Sequence, residues 1–237
     1  MNSTAIVTGS AHRIGRAIAL ALARDGYNII IHYNKSIHAA KEVEHTITKM
    51  GRKCQLISCD FSNMKQVSLF IHRAFEFFPD CDLLINNASI FERGRLMDTD
   101  EDMLDRHLNI NLKTPLLLTQ EFAKCTSSGH VINILDTKIS RVLIEYFAYT
   151  LSKKALADFT KMASKELAPA IRVNGVCPGL ILPPPGEDDE YLEKLSKNIP
   201  LERRGNPEQV ISAIQFLVKN PYVTGQFIYV DGGEHLK

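Results

Sequence analysis

Net charge is nearly absent from this chain: 28 Lys and Arg stand against 27 Asp and Glu, a formal +1 over 237 residues. Without a global field, neither a nucleic-acid backbone nor an anionic membrane surface is expected as a partner. Long apolar runs are missing too. Met1 leads into the strand-like TAIVT with no basic stretch, apolar core and cleavage site in succession, so a soluble, cytoplasmic protein is expected. The five cysteines, at 54, 59, 81, 125 and 177, form no Cys-x-x-Cys pair, and their odd number in a chain of this size argues against a disulfide framework. The eight histidines are scattered with no ligand-like spacing, and no metal is expected.

What is present is a regular alternation. Strand-like apolar runs (AIVT, NIIIHY, CQLISCD, DLLIN, HVINIL, IRVNGVC, QFIYV) are separated by helix-periodic stretches, including one from about Ala148 to Leu167 and one after Pro207. Such alternation predicts right-handed βαβ crossovers in one doubly wound α/β domain over 1–237, with about seven parallel strands and helices on both faces. No internal repeat or linker interrupts it. Leu180 to Asp189, LILPPPGEDD, breaks the rhythm, because three consecutive prolines forbid helix and central strand. This predicts an exposed substrate loop around 180–200, to be read as a lid over a ligand or as a solvated hinge.

Two further absences fall at chemically telling places. TGSAHRIG follows the first strand and opens the first helix, where glycines let the backbone approach a pyrophosphate. Gly9 and Gly15 keep the outer positions, but the usual middle glycine is missing and Arg13 stands in the turn. After the second strand an NAD site would carry Asp or Glu for the ribose hydroxyls, and this chain reads HYNKS, with no acid until Glu42. Asn34, Lys35 and Ser36, with Arg13 as a second cation, suit a 2′-phosphate, so NADP is favoured over NAD. Asp60, in CDFS, would accept from an adenine amino group, cap the helix that follows, or do both.

The span from Asp136 to Lys153 carries the candidate chemistry. Tyr149 and Lys153 in YTLSK are four apart and share a helix face. Asp136 closes the strand-like HVINIL and so falls at the carboxyl edge of the sheet, where open α/β folds bind ligands. The plainer alternatives are an ordinary helix face and a structural strand-end carboxylate.

Taken in order, TGSAHRIG, CDFS, INNAS, the Asn of NINL, YTLSK, RVNGVCPG and VDGG resemble the short-chain dehydrogenase/reductases over essentially the whole chain. The resemblance implies a Rossmann-like single domain and a nicotinamide cofactor lying against Gly9, Arg13, Ile14, His32, Tyr33, Asn34, Lys35, Ser36, Asp60, Phe61, Asn87, Ala88, Ser89, Tyr149, Lys153, Pro178, Gly179 and Leu180. It also implies Tyr149 as proton donor, Lys153 as a ribose ligand that lowers the phenol pKa, Asn111 as holder of a relay water, and a homotetramer packed through the helix of Tyr149 and its neighbour. At the position where the family carries a substrate-binding Ser this chain has Asp136. An ionised carboxylate there would raise the tyrosine pKa against the effect of Lys153.

Arg13 in the glycine turn, HYNKS, Asn87-Ala88-Ser89 followed by Phe91, and Asp136 paired with Tyr149 resemble the pteridine and dihydromonapterin reductase subgroup. That implies NADPH-dependent reduction of a dihydropterin, with Arg13, Ser89, Phe91, Asp136 and Tyr149 around the substrate. Phe91 would stack on the pterin or simply pack its loop onto the core. A carbonyl or 3-oxoacyl reductase and an idle NADP-binding regulator are the alternatives.

Overall fold

The β-branched and apolar runs form strands whose alternate side chains serve two cores, as a period of two requires. The computed structural model describes residues 3–184 and 186–236. Its strands are β1 (Thr4–Val7), β2 (Asn28–Tyr33), β3 (Cys54–Ser58), β4 (Cys81–Asn86), β5 (Gly129–Ile134), β6 (Ile171–Pro178) and β7 (Phe227–Val230). All pair in parallel in one sheet, in the order β3-β2-β1-β4-β5-β6-β7. The helices are α1 (Arg13–Arg24), α2 (Ile37–Lys49), α3 (Met64–Phe77), α4 (Glu101–Leu108), α5 (Thr114–Cys125), α6 (Phe147–Glu166), α7 (Asp189–Ser196) and α8 (Pro207–Lys219).

Ile29 and Ile31 of β2 pack with Ile18, Leu22, Val43, Ile47 and Leu217 of α1, α2 and α8. Ile30, between them, points the other way, into Phe70, Ile71, Leu118 and Phe122 of α3 and α5. Each fully buried side chain of this size contributes roughly 1.5–3 kcal/mol. The chain winds outward from β1 to β3, then returns to place β4 on the far side of β1. The order of strands therefore reverses between β1 and β4, and the crevice at their carboxyl ends is where ligands bind in such sheets.

The seven parallel strands agree with the alternation in the sequence; the loop after β6 does not wholly agree. Ile181 is buried, and Asp189 already belongs to α7, whose cap is Asp188, accepting from the Tyr191 amide. Asp189 and Glu190 in its first turn suit the helix dipole, so the irregular stretch is shorter and less exposed than the prolines suggest. Pro185 lies outside the described residues. No described helix is long and apolar enough to cross a membrane.

Candidate active site

The turn after β1 packs closely on the end of β4, and its first amides are held by β2, Gly9 by His32 Nδ1 and Ser10 by the His32 carbonyl. Gly9 has φ +63°, and a Cβ on it would lie 3.0 Å from the Ala88 Cα. A Cβ on Gly15 would strike the Gly9 carbonyl and come within 2.5 Å of Asn87 Nδ2. The missing middle glycine has a visible cost: Arg13 itself takes a left-handed φ of 54°, which an L side chain adopts at about 1–2 kcal/mol. The cap residue of α1, His12, makes no side-chain bond, the first turn holds no acid, and Ser36 at the start of α2 is likewise unbonded. Two open helix N-termini thus face the sheet's carboxyl edge, as an anionic cofactor requires.

Behind this turn the assigned cofactor residues divide into those that face the crevice and those that support it. His32 is buried, its Nδ1 accepts from the Gly9 amide at 2.9 Å, and its Nε2 therefore donates to the Cys59 carbonyl. Phe61 stacks on its ring at 3.9 Å. Burial lowers the His32 pKa to about 4. His32 and Phe61, both expected against the cofactor, have enclosed side chains that support the turn from beneath.

Asn87 likewise spends its amide on the Thr8 and Gly9 carbonyls, while its own N–H and that of Ala88 donate to Thr8 Oγ1. Asn34 and Lys35 are exposed, with Tyr33, Ser36 and Ile14 half-buried beside them. Asp60 accepts from the Ser62 amide and hydroxyl, and its carboxyl is held low chiefly by these bonds, with Lys35 adding to the effect. Capping of α3 falls to Asn63, whose side chain accepts from Lys65, so the capping role expected of Asp60 is corrected. At the far edge Pro178 ends β6. Gly179 has no room for a side chain, since a Cβ would lie 2.7 Å from the Asp231 Cβ. Leu180 follows, its carbonyl taken by the Gly205 amide.

The candidate catalytic cluster sits where β5 ends and α6 begins. Tyr149, in the first turn of α6, donates its hydroxyl to Asp136 Oδ2 at 2.6 Å. The other oxygen, Oδ1, accepts from the Lys138 amide at 2.8 Å and lies 3.5 Å from Lys138 Nζ. The phenol is pushed well above its usual 10, by burial first and then by the Asp136 charge and hydrogen bond. This is the direction expected of an ionised Asp136 acting against Lys153, and Lys153 does not outweigh it. Lys153 Nζ donates to the Ile134 carbonyl at 2.7 Å and lies 5.8 Å from the phenol ring centroid. Buried, Lys153 has its own pKa lowered to about 8, with Asp136 partly resisting.

Asn111 is buried in a single π-helical turn, Asn109–Lys113, between α4 and α5. Its Oδ1 accepts from the Ile90 amide and Ser89 hydroxyl, and its Nδ2 donates to the Ile90 carbonyl and Ser152 hydroxyl. Both donors and both lone pairs of the amide are spent. A relay water would thus have to use the Asn111 main-chain carbonyl, whose α-helical donor four residues on would be Pro115, which has no N–H. Ser89, assigned to substrate and cofactor, directs its hydroxyl to Asn111. Phe91 stacks on Tyr146 at 4.2 Å and meets Tyr149 edge-on at 4.7 Å. Arg13 reaches across the crevice to donate to the Pro183 carbonyl at 2.7 Å.

Two features escaped the sequence reading. A buried polar ladder, Asn86 to Asn133 to Thr160 at 2.8 Å each, ties β4, β5 and α6 together beneath the site. Lys138 is the other; its spacing of two from Asp136 was the available signal.

Known proteins are similar to the chain over nearly its whole length. A family model described as Enoyl-(Acyl carrier protein) reductase matches residues 9–235. The chain is 34% identical over 245 residues to the uncharacterized oxidoreductase YgfF of Escherichia coli (strain K12), covering 97% of this chain and 99% of that one. It is 32% identical over 250 residues to the 3-oxoacyl-[acyl-carrier-protein] reductase FabG of Staphylococcus epidermidis, with 100% of both chains covered. The crystal structure of FolM Alternative dihydrofolate reductase 1 from Brucella suis in complex with NADP has a TM-score of 0.95 to it at 33% identity, covering 100% of this chain and 96% of that one.

Proposed function

Because the chain belongs to the short-chain dehydrogenase/reductase family, we propose that it is an NADPH-dependent reductase that converts a dihydropterin to the tetrahydropterin. The observation that carries this reading is the 2.6 Å hydrogen bond from Tyr149 to a carboxylate, Asp136, where an ordinary carbonyl reductase would present a hydroxyl.

The open turn at Gly9, Arg13 and Gly15 and the basic stretch Asn34–Ser36 suit the cofactor's pyrophosphate and 2′-phosphate. Tyr149, Lys153, Pro178 and Gly179 border the place of its nicotinamide. When bound, the reduced cofactor supplies a hydride to the imine carbon of the pterin ring. The neighbouring ring nitrogen must gain a proton, so that C=N becomes CH–NH.

Tyr149 stands at the site to give that proton. A phenolate left 2.6 Å from an ionised Asp136 would be strongly disfavoured. The donor is therefore the pair carrying one proton more than the bonded form in the structure, with Asp136 protonated toward the phenol and the phenol toward the substrate. The tyrosine-to-carboxylate bond is then the discharged state. Phe91 offers the pterin the ring face away from Tyr146, where planar rings gain from stacking, and Arg13 and Ser89 border the slot. Exposed Leu116, Leu151 and Met162 on α5 and α6 favour assembly as a homotetramer through those helices.

The FabG relatives favour a second reading, reduction of a 3-oxoacyl substrate. NADPH oxidation followed with a dihydropterin, a β-ketoester and a quinone, beside cofactor binding measured alone, separates the alternatives. Turnover with the dihydropterin exceeding the others supports the proposal, and preference for the β-ketoester overturns it. Binding without turnover on any of the three would point to a regulator.

A further inference from the structure

Asp136 has two oxygens, and the proposed chemistry uses one of them. The other accepts from the Lys138 amide at 2.8 Å and faces the Lys138 ammonium at 3.5 Å, with the two side chains only 19% and 13% exposed. The same ammonium stands 5.9 Å from the Phe91 centroid, above the ring that borders the substrate slot. One cation thus touches both halves of the candidate site, its acid pair and its aromatic wall.

We infer that Lys138 is a positioning residue that sets the proton affinity of the Asp136–Tyr149 pair and thereby the pH range in which the pair can recharge. The inference rests on the reductase reading only for its kinetic consequence; the charge relation exists whatever the substrate. An adjacent cation favours the ionised carboxylate, so Lys138 makes the charged pair a stronger acid toward a weakly basic ring nitrogen. The amide bond from Lys138 already fixes the carboxylate's orientation, so the side chain's distinct contribution is its charge.

Several other groups share this field. Tyr146 and Glu234 face Lys138, and Arg141 binds Glu234 at 2.5 Å and partly neutralises it. Asp136 is faced by Tyr149 and Lys153 of α6, by Cys177 of β6 and by Glu234. Of the cations among these, Lys153 is committed to the Ile134 carbonyl and Arg141 to Glu234, which leaves Lys138 as the one in ion-pair range of the carboxylate.

The test compares wild type with Lys138→Met, which keeps the stem and the amide bond, and Lys138→Arg, which keeps the charge. Two readouts are followed against pH: kcat for the dihydropterin, and the infrared carbonyl band of protonated Asp136, identified by its loss in Asp136→Asn. In Lys138→Met the high-pH fall in kcat and the titration of the band should both move up by about one pH unit or more. The low-pH plateau should drop severalfold, and Lys138→Arg should restore wild-type positions.

A Lys138→Met enzyme that loses activity at every pH while both midpoints stay put would overturn the inference, since that is what a purely structural residue would do. Midpoints that move equally in Lys138→Arg would overturn it too. If wild type turns over no dihydropterin, the functional reading fails, whereas the infrared band still decides the role of Lys138.

Discussion

Asp136 and Arg13 each occupy a position where a different residue would be cheaper, and each substitution can be read as chemistry. A hydroxyl at 136 would avoid placing a carboxylate beside a buried phenol. Replacing Asp136 with Asn keeps shape and hydrogen bonding but removes the charge and the exchangeable proton. Dihydropterin turnover should fall by about 10²–10⁴-fold, the range for losing general acid–base assistance, while NADPH titrations stay near wild type. Asp136→Ser turning over pterins at the wild-type rate would sink the role given to the carboxylate.

At Arg13 the left-handed φ of 54° predicts that Arg13→Gly stabilises the fold even as it removes a cation. A relief of about 1 kcal/mol corresponds to roughly 2–4 °C in Tm for a chain of this size, and NADPH should bind more weakly. A lower melting temperature would refute the strain. The sequence disclosed that Arg13 replaces a glycine; that it also takes a glycine's conformation and reaches Pro183, 170 residues away, is set by tertiary contacts.

Elements were legible where a local period decides them. The strands at NIIIHY and HVINIL and the helix of Tyr149 announce themselves by apolar spacing, and their order implies the parallel sheet. The exceptions are places where a single side chain or a long-range contact decides. Asn63 rather than Asp60 caps α3, Asp188 starts a helix inside a stretch that its prolines mark as loop, and Pro115 disturbs the α4–α5 junction into a π turn. Asn86 and Asn133 stand in apolar runs that give no sign of their bond to each other.

The stretch between β2 and α2 is the element on which cofactor choice depends, and it has no acid, an exposed Lys35 and an unbonded Ser36 at the helix start. Lys35→Ala should weaken NADPH about ten- to a hundredfold, the loss of one charge-assisted hydrogen bond, and leave NADH nearly unchanged. Ser36→Asp should reverse the preference by placing a carboxylate against the 2′-phosphate. Equal ratios of kcat/KM for the two cofactors across wild type and both variants would detach this loop from the 2′-phosphate.

At the scale of the molecule, two buried histidines couple the fold to pH. His32 holds the Gly9 amide through an unprotonated Nδ1, and His130 accepts from Arg172 through its own Nδ1 at 2.9 Å. Burial lowers their pKa values to about 4 and about 3, and Arg172 adds to the effect at His130. Both titrate near 6.5 when the chain unfolds. The unfolded state thus binds more protons between these values, and stability present above pH 6.5 is lost as pH falls toward 4, at up to roughly 1.4 kcal/mol per pH unit for each group.

Urea denaturation at pH 7 and pH 5 should differ by roughly 2–4 kcal/mol, a large share of the 5–15 kcal/mol that ordinarily holds a domain together. His32→Gln retains an acceptor for Gly9 and cannot protonate, so its stability should fall less steeply, by about half the wild-type slope. NADPH affinity should follow, because protonating His32 removes the acceptor that fixes the turn. Were His32→Gln to lose stability and cofactor affinity with pH as steeply as wild type, the acid sensitivity would have to come from groups other than the imidazole beneath Gly9.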